Sequence, residues 1–242
     1  MRYKTQGTRR KGQRFIRWIG YSVLFAFAGF VLVQLWFAAQ VWYWVDHNPQ
    51  GTAFMRARLV ALRQDDPRAR LTHRWVAYRR ISVHLKRAVV VAEDAKFMSH
   101  RGFDWDEIQK AFERNAREGE IVRGASTITQ QLAKNLFLSG ERTWWRKAQE
   151  AVITVMLEAL MSKRRILEIY LNVIEWGDSV FGVEAAARHH FGESAAKLDP
   201  EQAARLAAMV PSPRRYLPGS YTPYLAQRTA TILARMNAVR VP

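Results

Sequence analysis

The chain has 242 residues, 49% of them hydrophobic, which is enough for one membrane anchor and one domain of ordinary size. It contains no cysteine, which excludes a disulfide bond and a thiolate metal site. The net charge of +17 at pH 7 favours anionic partners such as nucleic acid, anionic lipid or a phosphorylated substrate.

The first 45 residues have the pattern of a membrane anchor. Residues 1–17 contain seven Lys or Arg and no acid, and residues 18–45 contain no Asp, Glu, Lys or Arg over 28 positions. A helix needs about 20 apolar residues to cross a bilayer core. Trp18 and Trp44, near the two ends of the run, are typical of headgroup interfaces. We predict a transmembrane helix region at 18–45, a basic cytoplasmic tail at 1–17 and an extracytoplasmic remainder.

A cleaved signal peptide is the alternative interpretation of this segment. The apolar run is longer than the usual signal core, and its Trp-rich end lacks a small-x-small cleavage site. The pattern therefore favours a retained anchor. Beyond it, 31 basic residues still outnumber 21 acidic ones, so the rest of the chain is basic as well.

The remainder of the chain is predicted to be mostly α. Residues 46–80 are basic with weak periodicity, and we predict a connector there, followed by a domain at 81–242. The run VVVA at 89–92 is the best strand candidate, but it lies inside a helical pattern. The predicted helix N-caps are Asp104 with Glu107, Ser126 or Thr127, Ser162, Asp199 before Pro200, and Thr222 before Pro223. Gly119 is predicted to end the helix that follows Asp104. The run 143–161 is also predicted to be helical, with apolar residues at Val152, Val155, Met156 and Ala159.

The first chemically distinctive segment is EDAKFMSHRG, which begins at Glu93 and Asp94. The helix dipole disfavours acids at a helix C-terminus. An acid placed there beside apolar surface is a candidate for a raised pKa and for general-base catalysis. The alternative is an ordinary solvated acid pair at a helix end.

Three further segments are rich in polar and small residues. GASTITQQLAKN begins at Gly124 and leads into a helix whose free N–H groups can hold an anion, although a Ser/Thr cap alone explains it. RKAQE begins at Arg146 and precedes SKRRILEIYLN. Arg146 and Glu150 share a helix face, but an ordinary surface ion pair would show the same spacing. FGVEAAARHHFG is explained by close helix packing. Its adjacent histidines, His189 and His190, do not share a face, which argues against a metal site.

Together these four segments, in this order, closely resemble the peptidoglycan glycosyltransferases, family 51 of the glycosyltransferases. The likeness spans roughly residues 82–215. It departs from the family at His189 and His190, where an aromatic residue is common before Phe-Gly, and we expect this to affect packing. The resemblance implies a lysozyme-like α-helical fold with a small membrane-abutting lobe.

The resemblance also implies roles for individual residues. Glu93 matches the catalytic base of the family, and Glu150 matches its second essential carboxylate. The residues implied to bind substrate are Asp94, Phe97, His100, Gly124, Ser126, Thr127, Gln130, Gln131, Lys134, Asn135, Arg142, Arg146 and Lys147.

The implied reaction transfers a growing glycan chain from undecaprenyl diphosphate to the GlcNAc 4-hydroxyl of lipid II, forming a β-1,4 bond with inversion. It implies no required cofactor and no protein-bound metal, while leaving room for Mg²⁺ or Mn²⁺ at the donor diphosphate. The implied partners are lipid II, the growing glycan and the bilayer, with cell-division proteins as candidates and no nucleic acid. The implied location is the cytoplasmic (inner) membrane.

Four other functions fit the sequence less well. A peptidoglycan-cleaving enzyme of lysozyme-like fold would need one carboxylic acid, but the cations between Glu93 and Glu150 suit a diphosphate better. A non-enzymatic cell-division scaffold would not need the motifs, and a nucleic-acid binder conflicts with the predicted export. Ser194 and Lys197 match the S-x-x-K pattern of transpeptidases, but no S-x-N or K-T-G follows. We therefore predict a monofunctional enzyme.

Overall fold

The structure, a computed structural model, describes residues 6–118, 126–138 and 143–242, with side chains from residue 17 onward except that of Glu118. The chain divides into two compact units, Met1–Tyr43 and Trp44–Pro242. Its fold is mostly helical, as predicted.

The N-terminal unit is built on a single long helix, α1 (Gln6–Asp46), which begins inside the basic segment and includes the whole of 18–45. The part from Arg17 to Asp46 covers 30 residues with a mean hydropathy of 2.0, and it is the one segment of the described chain that is long and apolar enough to cross a membrane. Leu24, Phe25 and Phe27 are exposed along it. An exposed apolar surface of this length suits contact with lipid, which confirms the prediction of one apolar spanning helix.

The second unit contains the remaining helices and a small sheet. Its helices are α2 (Ala53–Asp65), α3 (Val83–Glu93), α4 (Trp105–Glu118), α5 (Ile128–Phe137), α6 (Trp144–Leu160), α7 (Lys163–Val173), α8 (Val183–Phe191), α9 (Pro200–Met209) and α10 (Pro223–Arg235). Short 3₁₀ turns cover Tyr78–Arg80, Pro213–Arg215 and Met236–Ala238. The strands are β1 (Thr72–His73), β2 (Glu175–Gly177) and β3 (Val180–Phe181), in the order β1-β3-β2. Strand β3 pairs parallel with β1 and antiparallel with β2, with an irregularity in register within β2.

The helix starts follow the capping chemistry in the sequence. Thr127 and Asp199 each form a reciprocal capping box with the residue three positions later, and Ser162 and Thr222 cap through their hydroxyls. Asp104 Oδ1 accepts the Glu107 N–H at 3.1 Å. The predicted caps are therefore present, whereas the predicted stop at Gly119 lies outside the described residues.

Two parts of the structure differ from what the sequence patterns predicted. The stretch 46–80 contains α2, whose start is capped by the Thr52 hydroxyl, and strand β1. Helix α6 confirms the predicted helix at 143–161, but Val152 and Val155 are exposed and its buried side includes Glu150. A carboxylate thus occupies the inner face of this helix.

The core surrounds α7, which is buried from Ile169 to Val173. The Asn172 amide, fully buried, accepts the Val76 N–H at 2.8 Å and donates to the Val76 carbonyl at 2.9 Å. Gly182 has φ +78°, and a Cβ there would lie 2.7 Å from the Asn172 carbonyl oxygen. Only glycine fits this close approach, and it fixes the start of α8 against the end of α7.

Candidate active site

Glu93 and Asp94 end α3, and their carboxylates lie in different surroundings. Asp94 is 8% exposed; its Oδ2 accepts the N–H of Ile128 at 3.0 Å, and its Oδ1 lies 2.8 Å from His100 Nε2. Ile128 is the first residue of α5, where the helix dipole favours a negative charge. Asp94 therefore joins the end of α3 to the start of α5.

Glu93 lines a cleft between helices. Its Oε2 accepts a hydrogen bond from Gln131 Nε2 at 3.0 Å, and an Arg228 guanidinium nitrogen lies 3.5 Å from its Oε1. Oε1 is buried and has no hydrogen-bond partner among the described residues.

These surroundings shift the pKa of Glu93. Burial raises the pKa of Glu93 above its ordinary value; the Gln131 hydrogen bond and the charge of Arg228 oppose the rise, and Asp94 adds to it. A carboxyl group with a raised pKa and an acceptor oxygen without a hydrogen bond is suited to take up a proton.

The cleft has a volume of about 1220 Å³ and contains both predicted catalytic carboxylates, Glu93 and Glu150. Its cationic lining residues are Lys134, Arg214, Arg215 and Arg228. Space of this size fits an extended sugar substrate, and the cations favour an anionic one.

Helix α5 supplies one wall of the cleft. Ser126, Gln130, Gln131, Lys134 and Asn135 all line it. The opposite face of α5, which carries Ile128, Leu132 and Leu136, is buried in the core. The Asn135 amide donates to the Gln131 carbonyl at 2.8 Å, and Gln130 Oε1 accepts the Thr127 N–H at 3.0 Å. The motif therefore combines a capped helix start with a polar wall.

Glu150 lies in the cleft on the buried side of α6 and is 3% exposed. Lys147 Nζ donates to its Oε1, and an Arg146 guanidinium nitrogen lies 3.5 Å from its Oε2. The predicted contact between Arg146 and Glu150 is present. Because the three residues are three and four positions apart on one helix, Glu150 pairs with both cations. Glu150 lines the cleft, whereas Arg146 and Lys147 are not among its lining residues.

Several other predicted substrate-binding residues have protein partners. Phe97 is fully buried, with Lys163 Nζ 4.5 Å from its ring centre, and His100 pairs with Asp94. Their contact with substrate stays a prediction, as does that of Thr127. Gly124 and Arg142 lie outside the described residues.

Several residues that line the cleft were not predicted from the sequence, and two of them contact predicted site residues. Tyr170 on α7 donates its hydroxyl to Gln131 Oε1 at 2.8 Å, and Arg228 on α10 reaches Glu93. Tyr170 lies inside the segment SKRRILEIYLN, where an aromatic side chain is typical of a buried core position. Arg228 lies outside every motif, and its contact depends on the packing of α10 against α3.

The sequence matches the transglycosylase family over residues 61–237. This chain belongs to the transglycosylase family. It is 57% identical over 228 residues to the biosynthetic peptidoglycan transglycosylase of Nitrosospira multiformis, which covers 94% of this chain and 99% of that relative. It is 60% identical over 221 residues to the protein of that name from Methylobacillus flagellatus, covering 91% of this chain and 96% of that relative. The protein of the same name from an Azoarcus species is 58% identical over 226 residues, covering 93% and 97% respectively.

The family match confirms two predictions for this transglycosylase. Its helical domain has the lysozyme-like fold of the family, and the resemblance drawn from the four motifs is correct. Within the part of the chain that the structure describes, no three His, Cys, Asp or Glu side chains form a group that could hold a metal ion.

Proposed function

We propose that this transglycosylase transfers the growing glycan chain from undecaprenyl diphosphate to the 4-hydroxyl of the lipid II GlcNAc. The chain is a peptidoglycan glycosyltransferase that polymerises glycan strands in cell-wall synthesis. The finer proposal concerns the donor, the acceptor and the residues that act on each.

The observation that carries the proposal is the position of Glu93. A sugar hydroxyl is a weak nucleophile and needs a base within hydrogen-bond reach. Glu93 Oε1 is a buried acceptor with no hydrogen bond among the described residues, and it belongs to a residue that lines the cleft. The raised pKa of Glu93, caused first by burial, makes it a stronger base than an ordinary carboxylate. We propose that Glu93 takes up the proton of the acceptor hydroxyl.

The donor side needs positive charge. A diphosphate leaving group carries its own negative charge, so cations stabilise the transition state without protonating it. Lys134 lines the cleft, and Arg146 and Lys147 gather at Glu150. We propose that these cations hold the diphosphate and that Glu150 positions them. Attack opposite an α-linked diphosphate then gives a β-1,4 bond with inversion.

This chemistry requires no cofactor, because the Lys and Arg side chains supply the positive charge. A divalent cation, Mg²⁺ or Mn²⁺, would be carried by the diphosphate itself, since that group offers the oxygen ligands that such ions prefer.

The membrane location is part of the same proposal. The lipid donor and acceptor stay in the bilayer, and the apolar span at Arg17–Asp46 suits an anchor in the cytoplasmic membrane. We propose that the basic N-terminus is cytoplasmic and the enzyme domain extracytoplasmic. Trp105, Phe112 and Trp144 on α4 and α6 are 70%, 75% and 92% exposed, which supports the membrane-abutting lobe. Cell-division proteins remain candidate partners.

A peptidoglycan-cleaving enzyme is the second candidate, because a buried carboxyl with a raised pKa can also serve as a general acid. The deciding experiment incubates the purified full chain in detergent with lipid II. We expect glycan polymer of increasing length, and inhibition by the donor mimic moenomycin. Failure to form polymer, combined with shortening of added glycan strands, would establish cleavage instead.

A further inference from the structure

Three residues from three helices form a hydrogen-bonded chain that ends at the proposed base. Tyr170 on α7 is fully buried, and its hydroxyl donates to Gln131 Oε1 at 2.8 Å. The other atom of the same amide, Gln131 Nε2, donates to Glu93 Oε2 at 3.0 Å. We propose that Tyr170 is a positioning residue, which acts through the Gln131 amide to hold the Glu93 carboxylate ready for the acceptor hydroxyl. The inference rests on the proposed role of Glu93 as base.

The amide of Gln131 can serve Glu93 in only one orientation. Its nitrogen donates and its oxygen accepts, and a carboxylate can only accept. A flipped amide would place its oxygen against the Glu93 oxygen and repel it. The Tyr170 hydroxyl occupies the amide oxygen and so favours the productive orientation. Without this hydroxyl, the side-chain carbonyl oxygen of Gln131 would lose its hydrogen-bond donor.

Tyr170 keeps its proton throughout the working range of pH. Burial raises the pKa of Tyr170 well above its ordinary value, and the negative charges of Glu93 and Asp94 raise it further. A neutral phenol is a donor, so the hydroxyl remains available to Gln131. The position is therefore a fixed donor and not a titrating switch.

The chain of bonds has a measurable consequence at Glu93. Burial raises the pKa of Glu93, and the Gln131 hydrogen bond opposes that rise. Loss of the Tyr170 hydroxyl weakens the opposing bond, so the pKa of Glu93 should rise further. Because the base must be deprotonated to act, activity at low pH should fall. Among the described residues, the charged or titratable groups that contact Glu93 or share its cleft are Asp94, Lys134, Glu150, Tyr170, Glu175, Arg214, Arg215, Tyr216, Tyr224 and Arg228.

The test compares Tyr170→Phe with the wild-type full chain in detergent, using the rate of lipid II polymerisation at saturating substrate as a function of pH. The acidic limb of the plot of kcat against pH should move to higher pH by about 0.5–1 pH unit. A shift of this size corresponds to the weakening of one hydrogen bond to a charged group. KM should stay near the wild-type value, since the Tyr170 side chain is fully buried and its hydroxyl is bonded to Gln131. Replacing Tyr170 by 3-fluorotyrosine, a stronger donor of similar size, should move the limb the opposite way.

Two further variants separate positioning from simple stability. Tyr78→Phe is the matched control, because Tyr78 is also buried and donates its hydroxyl to the Pro242 carbonyl at 2.6 Å. It should lower the melting temperature without moving the limb. Gln131→Leu should move the acidic limb at least as far as Tyr170→Phe does. The variant that combines both substitutions should move it no further than Gln131→Leu alone, because Tyr170 acts through Gln131.

An acidic limb for Tyr170→Phe that coincides with that of Tyr78→Phe would overturn the inference, since the hydroxyl would then only stabilise the fold. If the phenylalanine variant does not fold, an unmoved limb for the 3-fluorotyrosine protein overturns it equally. Failure of the underlying proposal looks different, because Glu93→Gln would then retain turnover whatever Tyr170 does.

Discussion

Substitution of Glu150 by glutamine tests whether this carboxylate positions the donor cations. The change keeps the side-chain size and removes the charge that holds Lys147 and Arg146. The Lys147 side chain is 46% exposed, so solvent screens that pair, and the Arg146 side chain is 15% exposed. Allowing about 1 kcal/mol for each pair gives a positioning loss of about 2 kcal/mol.

An opposing electrostatic term reduces this loss. A diphosphate beside the same cations is repelled by Glu150, and neutralising the carboxylate removes roughly 1 kcal/mol of repulsion for charges some 8 Å apart at an effective dielectric of about 40. The net expectation is a donor site weakened by about 1 kcal/mol, or about fivefold in Kd.

The assay measures binding of labelled moenomycin by fluorescence anisotropy at low and high salt. Glu201→Gln, an exposed change of the same charge on α9, is the control and should bind like wild type. Tighter binding by the Glu150 variant would refute the positioning role, because charge repulsion alone would then explain its effect. Unchanged binding with lost turnover would assign Glu150 to the chemical step.

The remaining predictions concern stability, specificity and topology. Asp94→Asn should lower the melting temperature by about 4–10 °C, since it weakens bonds to Ile128 and His100 worth about 2 kcal/mol or more; unchanged melting would contradict the structural role. Fluorescent penicillin should not label the protein, because the Ser194 hydroxyl donates to Glu184 at 3.0 Å and no transpeptidase motif accompanies it; covalent labelling would contradict this. A periplasm-dependent reporter fused after Pro242 should be active, and an inactive reporter on a folded fusion would reverse the proposed topology.

Local chemistry made much of the fold predictable. Helix starts at Ser162, Asp199 and Thr222 follow from side chains that satisfy free N–H groups, and this depends only on neighbouring residues. The apolar span at 18–45 is equally local. Helix α2 was not predicted, because its pattern is weak and its formation depends on tertiary packing.

The candidate site was predictable where motifs concentrate it. Glu93 and Gln131 belong to separate motifs, and the fold brings Gln131 Nε2 within 3.0 Å of Glu93 Oε2. Arg228 was missed because a lone arginine on an amphipathic helix has no local signal, and its contact requires α10 to pack beside α3. Residue chemistry alone did not distinguish the adjacent acids Glu93 and Asp94, and only the family resemblance assigned the base role to Glu93. The difference in their surroundings depends on which carboxylate meets the start of α5.

The most direct test of the central claim is the turnover of Glu93→Gln on lipid II, measured with moenomycin binding and thermal melting on the same preparation. Glutamine keeps the size of the side chain but cannot take the acceptor proton, and loss of general-base catalysis lowers rates by about 10²–10⁴-fold. We expect turnover to fall by at least that lower factor while binding and melting stay near wild type. A folded variant that keeps more than about a tenth of wild-type turnover would show that Glu93 is not the base.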